Sequence, residues 1–303
     1  MKISIMITTR NRREELQRTL MKLSELRPLA DEILVCADGC IDGTTEMVRS
    51  QFPNCVLLEN ETSRGSIYSR DRLLRASSGE IVASFDDDSY PIGSDFVGRV
   101  KDLFAQDSFV AVTSFPEISD NNATADKTKT PSSAPHLVSA YANCAAAMRR
   151  DVYLRSQGFP KFFGHMYEEP DYALQCYALG YHVRFEPTVP IHHHISAAQR
   201  DPMRRHHLNA RNELWSVLMR CPFPQVIPVA LFRIWRQFRY AWSEGLALAI
   251  REPLWWWSAL RGVRICLRHR SPVVWRVYYA WMRLARHPVT SASQLLDKAP
   301  AAA

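Results

Sequence analysis

Residues 81–90 read IVASFDDDSY, and the rest of the sequence can be interpreted around them. An apolar run enriched in β-forming residues leads straight into three adjacent carboxylates, which is typical of a buried strand that ends at a sheet edge. Alternation along a strand would place Asp86 and Asp88 on one face and Asp87 on the other. Adjacent acids repel one another unless water or a cation offsets their charge, so two interpretations stay open: a divalent cation shared with substrate phosphates, or a solvated acidic turn.

Strand-like and helical patterns alternate along the first part of the chain. Short runs rich in β-forming residues are separated by segments with apolar residues at helical spacing, and the connections are short. This order predicts an α/β fold with a mostly parallel sheet and with ligands at the carboxyl ends of its strands. Strands are predicted at 3–9, 33–37, 55–58, 80–85 and 182–185, helices at 13–26, 45–51, 66–76 and 172–179, and a long loop at 117–135.

The charge of the chain is unevenly distributed. The net charge is +7, yet residues 231–290 hold eleven arginines against two glutamates, and all eight tryptophans lie at or beyond position 215. Arginine with tryptophan and phenylalanine at helical spacing predicts amphipathic helices that lie on an anionic membrane surface. No window is apolar enough for a transmembrane helix. A helical bundle that only caps the domain is the alternative, and no motif predicts a nucleic-acid partner.

The cysteines and the start of the chain bear on the compartment. The seven cysteines are scattered, odd in number and form no CxxC pair, which favours free thiols in a reducing compartment. The chain opens directly into the strand-like run 3–9, so we expect no signal peptide. Together with the basic carboxyl-terminal region, these features predict a cytoplasmic protein that is peripheral on the inner face of the cell membrane.

Several motifs in the same order resemble family 2 glycosyltransferases of the GT-A fold, over about residues 3–215. The segment 5–12 (IMITTRNR) resembles the opening strand and loop of that family, and 35–44 (VCADGCIDGT) resembles its V-x-D-D-G-S-x-D-G-T motif. Residues 65–80 resemble its G…ARN…A-x-G-E pattern, and Asp86 to Asp88 take the place of its DxD. The segment 158–171 resembles its acceptor-side GF…FF…ED-x-D element.

The resemblance implies a domain organisation and an activity. It implies a Rossmann-like GT-A domain with a nucleotide-sugar half at 1–115 and an acceptor half at 116–215, followed by an amphipathic helical region at 216–303. The implied activity is an inverting, metal-dependent transfer of a sugar from a nucleoside-diphosphate sugar to a glycan or lipid-linked acceptor in cell-surface polysaccharide synthesis.

The resemblance also implies which residues hold the donor and the metal. Asp88 would hold Mn²⁺ or Mg²⁺, whose charge offsets that of the departing diphosphate. A late histidine three residues before a serine selects His193 as a second ligand, with Ser196 as the serine. The residues implied to contact the nucleotide sugar are Thr8, Arg10, Asp38, Arg70, Asp86 and Asp87.

A carboxylate is needed as general base for the acceptor hydroxyl. The candidates are Glu168, Glu169 and Asp171. Counted back from Gly180, Glu169 falls where the family has the Asp of its ED pair, so the resemblance implies Glu169 as the base. An in-line attack assisted by one carboxylate inverts the anomeric configuration. A purely structural alternative is that these acids favour the amino-terminal end of a helix.

Two other functions compete with this hypothesis. A sugar-nucleotide pyrophosphorylase shares the sheet architecture, but it would need a glycine-rich basic loop after the first strand, and residues 8–13 hold no glycine. A non-catalytic nucleotide-binding protein attached to the membrane by its basic region is the third hypothesis, and the binding of a nucleoside diphosphate with Mn²⁺ discriminates it from the first.

Overall fold

The computed structural model describes residues 1–119, 134–194 and 201–297. Helices alternate with strands in the first half of the chain, and helices alone follow residue 201 in the described part. The strands are β1 Ile3–Thr9, β2 Glu32–Asp38, β3 Val56–Asn60, β4 Ile81–Asp86, β5 Ser89–Pro91, β6 Val110–Ser114, β7 Glu117–Ile118, β8 His136–Leu137, β9 Ala146–Arg149, β10 His182–Phe185 and β11 Ile191–His193.

Helices cover the sheet and form the carboxyl-terminal region. They are α1 Arg13–Ser24, α2 Thr44–Gln51, α3 Ser66–Ala76, α4 Phe96–Gln106, α5 Arg150–Arg155, α6 Glu168–Ala178, α7 Pro202–Arg220, α8 Val226–Glu244, α9 Leu246–Ala249, α10 Glu252–Arg261, α11 Val263–Arg268, α12 Trp275–Leu284 and α13 Ala292–Asp297.

The main sheet has eight strands in the order β3-β2-β1-β4-β9-β6-β10-β8. The first four of these are parallel, β9 is antiparallel to both of its neighbours, and β10 is parallel to β6. In the register of the parallel strands, Thr8 lies beside Asp86 on one side and beside Cys36 on the other. The carboxyl ends of β1, β2 and β4 therefore meet at one edge of the sheet.

Both faces of the sheet are buried, which explains the nearly continuous apolar strands. Met6 and Val82 belong to one core cluster, together with residues of α3, α5 and α6. Ile5, Ile7 and Phe85 belong to a second cluster with residues of α1, α2 and α4. The predicted α/β architecture with a large, mostly parallel sheet between helices is confirmed.

The sequence-based prediction did not include β6, β9, α4 or α5, and three details of the predicted segments also differ. The strand β4 ends at Asp86 and Asp87 begins a turn, so strict alternation does not extend to Asp88. Helix α6 begins at Glu168 rather than at Tyr172, because acids and a proline are favourable in a first helical turn. Of the predicted loop 117–135, the first two residues form β7, and residues 120–133 lie outside the described part.

The carboxyl-terminal helices pack on the sheet domain through α7. Trp215 is buried against Phe162 and Phe163, and its ring nitrogen donates a hydrogen bond to the carbonyl of Ala259 at 2.9 Å. The predicted division between 215 and 216 falls inside this helix. Among the described residues, no helix is both long and apolar enough to cross a membrane.

Candidate active site

A cavity of about 740 Å³ lies at the carboxyl ends of β1, β2 and β4. One wall comes from these strand ends and from α3, and the other comes from the segment 162–165 and from α7. All six residues predicted to contact the nucleotide sugar line this cavity: Thr8, Arg10, Asp38, Arg70, Asp86 and Asp87.

Asp38 at the end of β2 fixes the loop that leads into α3. Its carboxylate accepts hydrogen bonds from the Asn60 amide (2.7 Å), the Ser63 hydroxyl (2.7 Å) and the backbone N–H groups of Arg64 and Gly65 (2.8 and 2.9 Å). Burial alone would raise the pKa of Asp38, but these donors outweigh it and hold the pKa below its usual value. A carboxylate accepts about four such hydrogen bonds. An N–H group of a nucleobase could therefore donate to Asp38 only by displacing one of these donors.

Two glycines allow the close approaches that shape this wall. Gly39 has a φ of +68°, and a Cβ there would lie 2.6 Å from the backbone nitrogen of Ser63. Gly65 has a φ of +90°, and a Cβ there would lie 2.8 Å from the carbonyl oxygen of Gly164. A larger residue at either position would strain the backbone, and one at position 65 would also push the segment at Gly164 away from this wall.

Arg70 joins the two halves of the site. Its side chain is 8% exposed and donates hydrogen bonds to Asp86 at the end of β4 and, at 3.2 Å, to Glu168 at the start of α6. Asn143 donates a further hydrogen bond to Glu168 at 3.3 Å. The motif on the donor side and the motif on the acceptor side are thus connected through one buried guanidinium.

Arg12 neutralises two of the three adjacent aspartates, a role that the sequence analysis did not assign. Its guanidinium contacts Asp87 Oδ1 at 2.6 Å and Asp88 Oδ2 at 2.7 Å. Thr9 also donates to Asp87 at 2.8 Å. Burial raises the pKa of Asp87 to about 7 despite Arg12 and Thr9. The only indication of this contact in the sequence was that Arg12 lies in the loop after the first strand, close to where the carboxyl ends of the strands are expected.

The arrangement around Asp88 fits a divalent cation. Asp88 Oδ1 is buried without a hydrogen bond and lies 3.3 Å from His193 Nε2. The other ring nitrogen of His193 lies 2.7 Å from Glu117 Oε2. Such a carboxylate behind a histidine fixes the ring orientation of a metal ligand. Ligand atoms of Asp86, Cys144 and His193 also lie within 4.8 Å of one another, and Cys144 was not predicted from the sequence.

The charges of Asp88 and His193 support each other. Burial would raise the pKa of Asp88, but the contacts with His193 and Arg12 outweigh it and lower the pKa. Burial would lower the pKa of His193, but Asp88 and Glu117 raise it to about 10. A cation bound at His193 Nε2 would therefore have to displace a proton. Ser196, which helped to select His193, lies outside the described residues.

The three candidate bases occupy different environments. Glu168 is buried beside Arg70, and Glu169 next to it is half-buried. Burial and the neighbouring charge of Glu168 raise the pKa of Glu169. Neither carboxylate lines the cavity itself; Arg70 stands between Glu168 and Asp86.

Asp171 has a structural environment instead of a catalytic one. It is fully buried and accepts hydrogen bonds from Gln175 and Ser216, both at 2.8 Å, and from Arg220 at 2.9 and 3.1 Å. These bonds join α6 to α7. Four donors occupy its two carboxylate oxygens and Asp171 does not line the cavity, so Glu169 is the better placed of these candidates to accept a proton.

The start of α7 adds a basic rim to the cavity. Arg204, Arg205 and Arg211 line it opposite the aspartates. Arg211 also donates a hydrogen bond to the carbonyl of Phe163 at 2.8 Å, and Asn212 donates to three carbonyls of the segment 163–166. This rim places positive charge across the cavity from the carboxylates, where an anionic ligand could contact it.

The fold resembles solved glycosyltransferase structures at low sequence identity. The mannosyltransferase PcManGT from Pyrobaculum calidifontis, in complex with GDP-Man and Mn²⁺, has a TM-score of 0.57 and 17% identity, covering 94% of this chain and 86% of that one. S. aureus TarS 1-349 has a TM-score of 0.62 and 16% identity, covering 98% and 88%. GalNAc-T7 with UDP, GalNAc and Mn²⁺ has a TM-score of 0.59 and 12% identity, covering 74% and 48%.

The sequence itself matches a family. No curated protein matches this chain. The family described as Glycosyl transferase family 2, however, matches residues 4–164, which include β1, the three aspartates and the whole donor side of the cavity. This match covers more than half of the chain, and the resemblance stated from the sequence motifs is confirmed. The chain belongs to glycosyl transferase family 2.

Proposed function

We propose that this protein is an inverting, metal-dependent glycosyltransferase that transfers a sugar from a nucleoside-diphosphate sugar to a glycan or lipid-linked acceptor. The observation that carries the proposal is the position of Arg70, which contacts Asp86 on the donor side and Glu168 on the acceptor side. A transferase must hold donor and acceptor within reach of each other, and this arrangement brings the two motifs together at one cavity.

The cavity suits a nucleoside-diphosphate sugar in size and in charge. Its volume of about 740 Å³ lies within the range of small-ligand sites. The arginines of the rim, Arg204, Arg205 and Arg211, suit phosphate oxygens, and the polar strand ends suit the nucleoside and the sugar. PcManGT with GDP-Man and TarS with UDP-GlcNAc are similar in fold, which supports a donor of this class.

A divalent cation, Mn²⁺ or Mg²⁺, would be held by Asp88 and His193, with Asp86 and Cys144 within reach. Bound there, it would supply positive charge to the diphosphate leaving group. Glu117 orients the His193 ring and Arg12 holds the second oxygen of Asp88. Mn²⁺ is present in the similar structures of PcManGT and GalNAc-T7.

The transfer forms one bond and breaks one. The acceptor oxygen bonds to the anomeric carbon while the bond from that carbon to the diphosphate oxygen breaks, and the nucleoside diphosphate leaves with the electron pair. The acceptor proton passes to a carboxylate, for which we propose Glu169. A raised pKa makes a carboxylate a stronger base, and one positioned carboxylate is consistent with inversion.

The acceptor class and the location of the protein are proposed from the outer surface of the carboxyl-terminal helices. Helix α8 packs on the protein through buried apolar residues such as Val226 and Ala241 and through Arg236 and Gln237, which contact Glu213. Its opposite face exposes large apolar side chains, and α10 exposes more. In the segment 226–261, which holds α8, α9 and α10, the following apolar side chains are each at least half exposed: Ile227, Leu231, Trp235, Trp242, Leu246, Ile250, Leu254, Trp257 and Leu260.

Such a face is costly in water and matches the interface of a bilayer. Arg239 and Arg261 lie over the rings of Trp235 and Trp257 at 4.8 and 5.2 Å, where they suit anionic headgroups. We propose a peripheral position on the inner face of the cell membrane, where lipid-linked and cell-surface polysaccharide precursors are available to the site.

A panel assay tests the proposed activity. Purified protein, a membrane extract and Mn²⁺ are incubated with each of several sugar nucleotides, and release of the nucleoside diphosphate is recorded. One donor is expected to be consumed, with the new linkage of opposite anomeric configuration to the donor. A product that retains the configuration would refute inversion. Binding of nucleoside diphosphate without any transfer would favour the non-catalytic alternative. Formation of a nucleoside triphosphate and a sugar 1-phosphate when pyrophosphate is added to the sugar nucleotide would favour a pyrophosphorylase.

A further inference from the structure

A second cavity, larger than the donor cavity, lies between α6, α7, α8 and α12. Its volume is about 910 Å³. It adjoins the active site at the start of α6: Tyr167 and Pro170 line it, and Glu168 between them accepts a hydrogen bond from Arg70. None of the residues assigned to the donor, the metal or the base lines it. A ligand bound there would therefore be distinct from the donor and the cation.

The charge of this second cavity is strongly positive. Three arginines that line it stand against one carboxylate, which leaves an excess of two positive charges among these residues: Arg233, Arg236, Arg286 and, as the acid, Glu213. Glu213 is fully buried and binds Arg233 at 3.1 Å and Arg236 at 2.5 and 2.7 Å. Because one carboxylate is shared by two guanidinium groups, the cavity favours an anion.

Two buried polar atoms in the wall lack hydrogen-bond partners. They are Arg233 Nε and Gln225 Oε1, and both residues line the cavity. A buried polar atom without a partner is destabilising, so such atoms are usually satisfied by a ligand or by water. A ligand with both acceptor and donor oxygens would suit this pair.

The remaining wall is aromatic and opens toward the apolar face of α8. Phe232, Trp275, Tyr279 and Trp281 line the cavity. Phe232 is 46% exposed and its neighbour Leu231 is 63% exposed, so the rim continues into the surface proposed to contact the bilayer. A ligand that is anionic at one end and apolar at the other matches both parts.

We propose that the second cavity binds the phosphate headgroup of an anionic membrane lipid, with the lipid chains directed toward the exposed apolar face of α8. This inference rests on the membrane placement proposed above. It adds a defined site for one lipid headgroup to the general attraction between the carboxyl-terminal helices and an anionic bilayer. Occupation of the cavity would fix the orientation of the protein on the membrane, with the start of α6 and the active site beside the lipid.

A short-chain lipid in monomeric form tests the site without a bilayer. Dihexanoyl phosphatidic acid is titrated into the full chain by calorimetry below the concentration at which it aggregates. Saturable binding of one molecule is expected. Dihexanoyl phosphatidylcholine, with the same chains but no net charge, is expected to bind at least tenfold more weakly. Equal binding of the two lipids would overturn the proposal.

A matched pair of arginine variants separates the cavity from general surface charge. Arg286→Ala removes a charge at the rim of the cavity, and Arg239→Ala removes one on α8 outside it. A charge-assisted hydrogen bond contributes enough that Arg286→Ala should weaken the binding of phosphatidic acid about tenfold or more, while Arg239→Ala leaves it within about twofold. Equal weakening by both variants at unchanged melting temperature would contradict the proposal.

Two further experiments distinguish a lipid phosphate from free phosphate and test membrane attachment separately from the headgroup site. Inorganic phosphate is expected to compete only at far higher concentration; competition at the concentration of the lipid would indicate a soluble phosphate ligand and overturn the lipid site. Sedimentation with vesicles of anionic lipid measures membrane attachment itself. If the chain sediments with the vesicles yet does not bind the monomeric lipid, the headgroup site is refuted and the membrane placement is retained.

Discussion

His193 Nε2 lies 3.3 Å from Asp88 Oδ1, although the two residues belong to motifs far apart in the sequence. The strand β11, which ends with His193, pairs with β5, which directly follows the three aspartates. These two strands and β7 form a second, three-stranded sheet in the order β5-β11-β7, which brings the late histidine to the acidic turn. Glu117 in β7 holds the far side of the ring at 2.7 Å, so three separate segments build one potential cation site.

Glu117→Gln should weaken the metal site without removing a ligand. The amide keeps the size of the side chain but lacks the charge that orients the His193 ring and supports its basicity. We expect the Mn²⁺ concentration for half-maximal activity to rise about 10- to 100-fold. Binding of Mn²⁺ measured by electron paramagnetic resonance should weaken in parallel. Unchanged Mn²⁺ affinity would show that His193 is not a ligand.

Cys144 tests how far the site extends. Its sulfur is buried and lies within 4.8 Å of ligand atoms of Asp86 and His193. If the thiol binds the cation, the Co²⁺-loaded protein should show a near-ultraviolet sulfur-to-cobalt charge-transfer band that Cys144→Ser abolishes. Cys176→Ser, which replaces an equally buried cysteine remote from the site, is the control. A band that persists in Cys144→Ser, or no band in the native protein, would remove Cys144 from the ligand set.

Glu169→Gln should separate binding from chemistry. The amide cannot accept the acceptor proton, so we expect kcat to fall by about 10²- to 10⁴-fold while the affinity for the nucleoside diphosphate changes little. Steady-state kinetics measures kcat, and calorimetry measures the affinity for the nucleoside diphosphate. Near-normal turnover of the variant would exclude Glu169 as the base.

Asp171→Asn is the matched control for that experiment. Because Asp171 pairs with Arg220 in the core, its neutralisation leaves a buried charge without its partner and should cost about 3–5 kcal/mol of folding free energy. We expect a clearly lower melting temperature. A fully stable Asp171→Asn protein that loses turnover would mean that the base has been assigned to the wrong carboxylate.

The pH profile reports on the pair Glu168 and Glu169. Burial and the charge of Glu168 raise the pKa of Glu169, and the base must be ionised, so kcat should increase with pH up to a pKa above that of an ordinary glutamate. Glu168→Gln removes the neighbouring charge and should shift this acidic limb to lower pH. A shift to higher pH, or the loss of all activity in Glu168→Gln, would contradict the assignment of roles.

The sequence was sufficient for five strands, β1 to β4 and β10, and for the edge of the sheet at which the cavity lies. It did not predict β6 and β9, which lie between β4 and β10 in the main sheet. Regular apolar periods defined β1, β4 and α3, and parallel register then brought Thr8, Asp38 and Asp86 to one edge. The common edge follows from a general property of parallel sheets, whereas these individual residues were implied by the resemblance to family 2 glycosyltransferases.

The sequence did not define contacts that depend on tertiary packing. Arg12 is one of several arginines in its loop, and only the folded chain selects it as the partner of Asp87 and Asp88. Asp171 resembled a catalytic acid because it follows Glu168 closely. In the folded chain, α7 packs against α6 and Asp171 forms an ion pair with Arg220 of α7. The second cavity likewise exists only because four helices distant in sequence meet.

The most direct measurement for the central claim is Mn²⁺-dependent turnover of the accepted sugar nucleotide by Asp88→Asn. Melting temperature and binding of the metal-free nucleotide serve as checks that the variant is folded. The account predicts that Mn²⁺ stimulates release of the nucleoside diphosphate by the native protein and that the folded variant shows no stimulation at any Mn²⁺ concentration. Full Mn²⁺-stimulated turnover by Asp88→Asn, or turnover by the native protein that chelators leave unchanged, would contradict it.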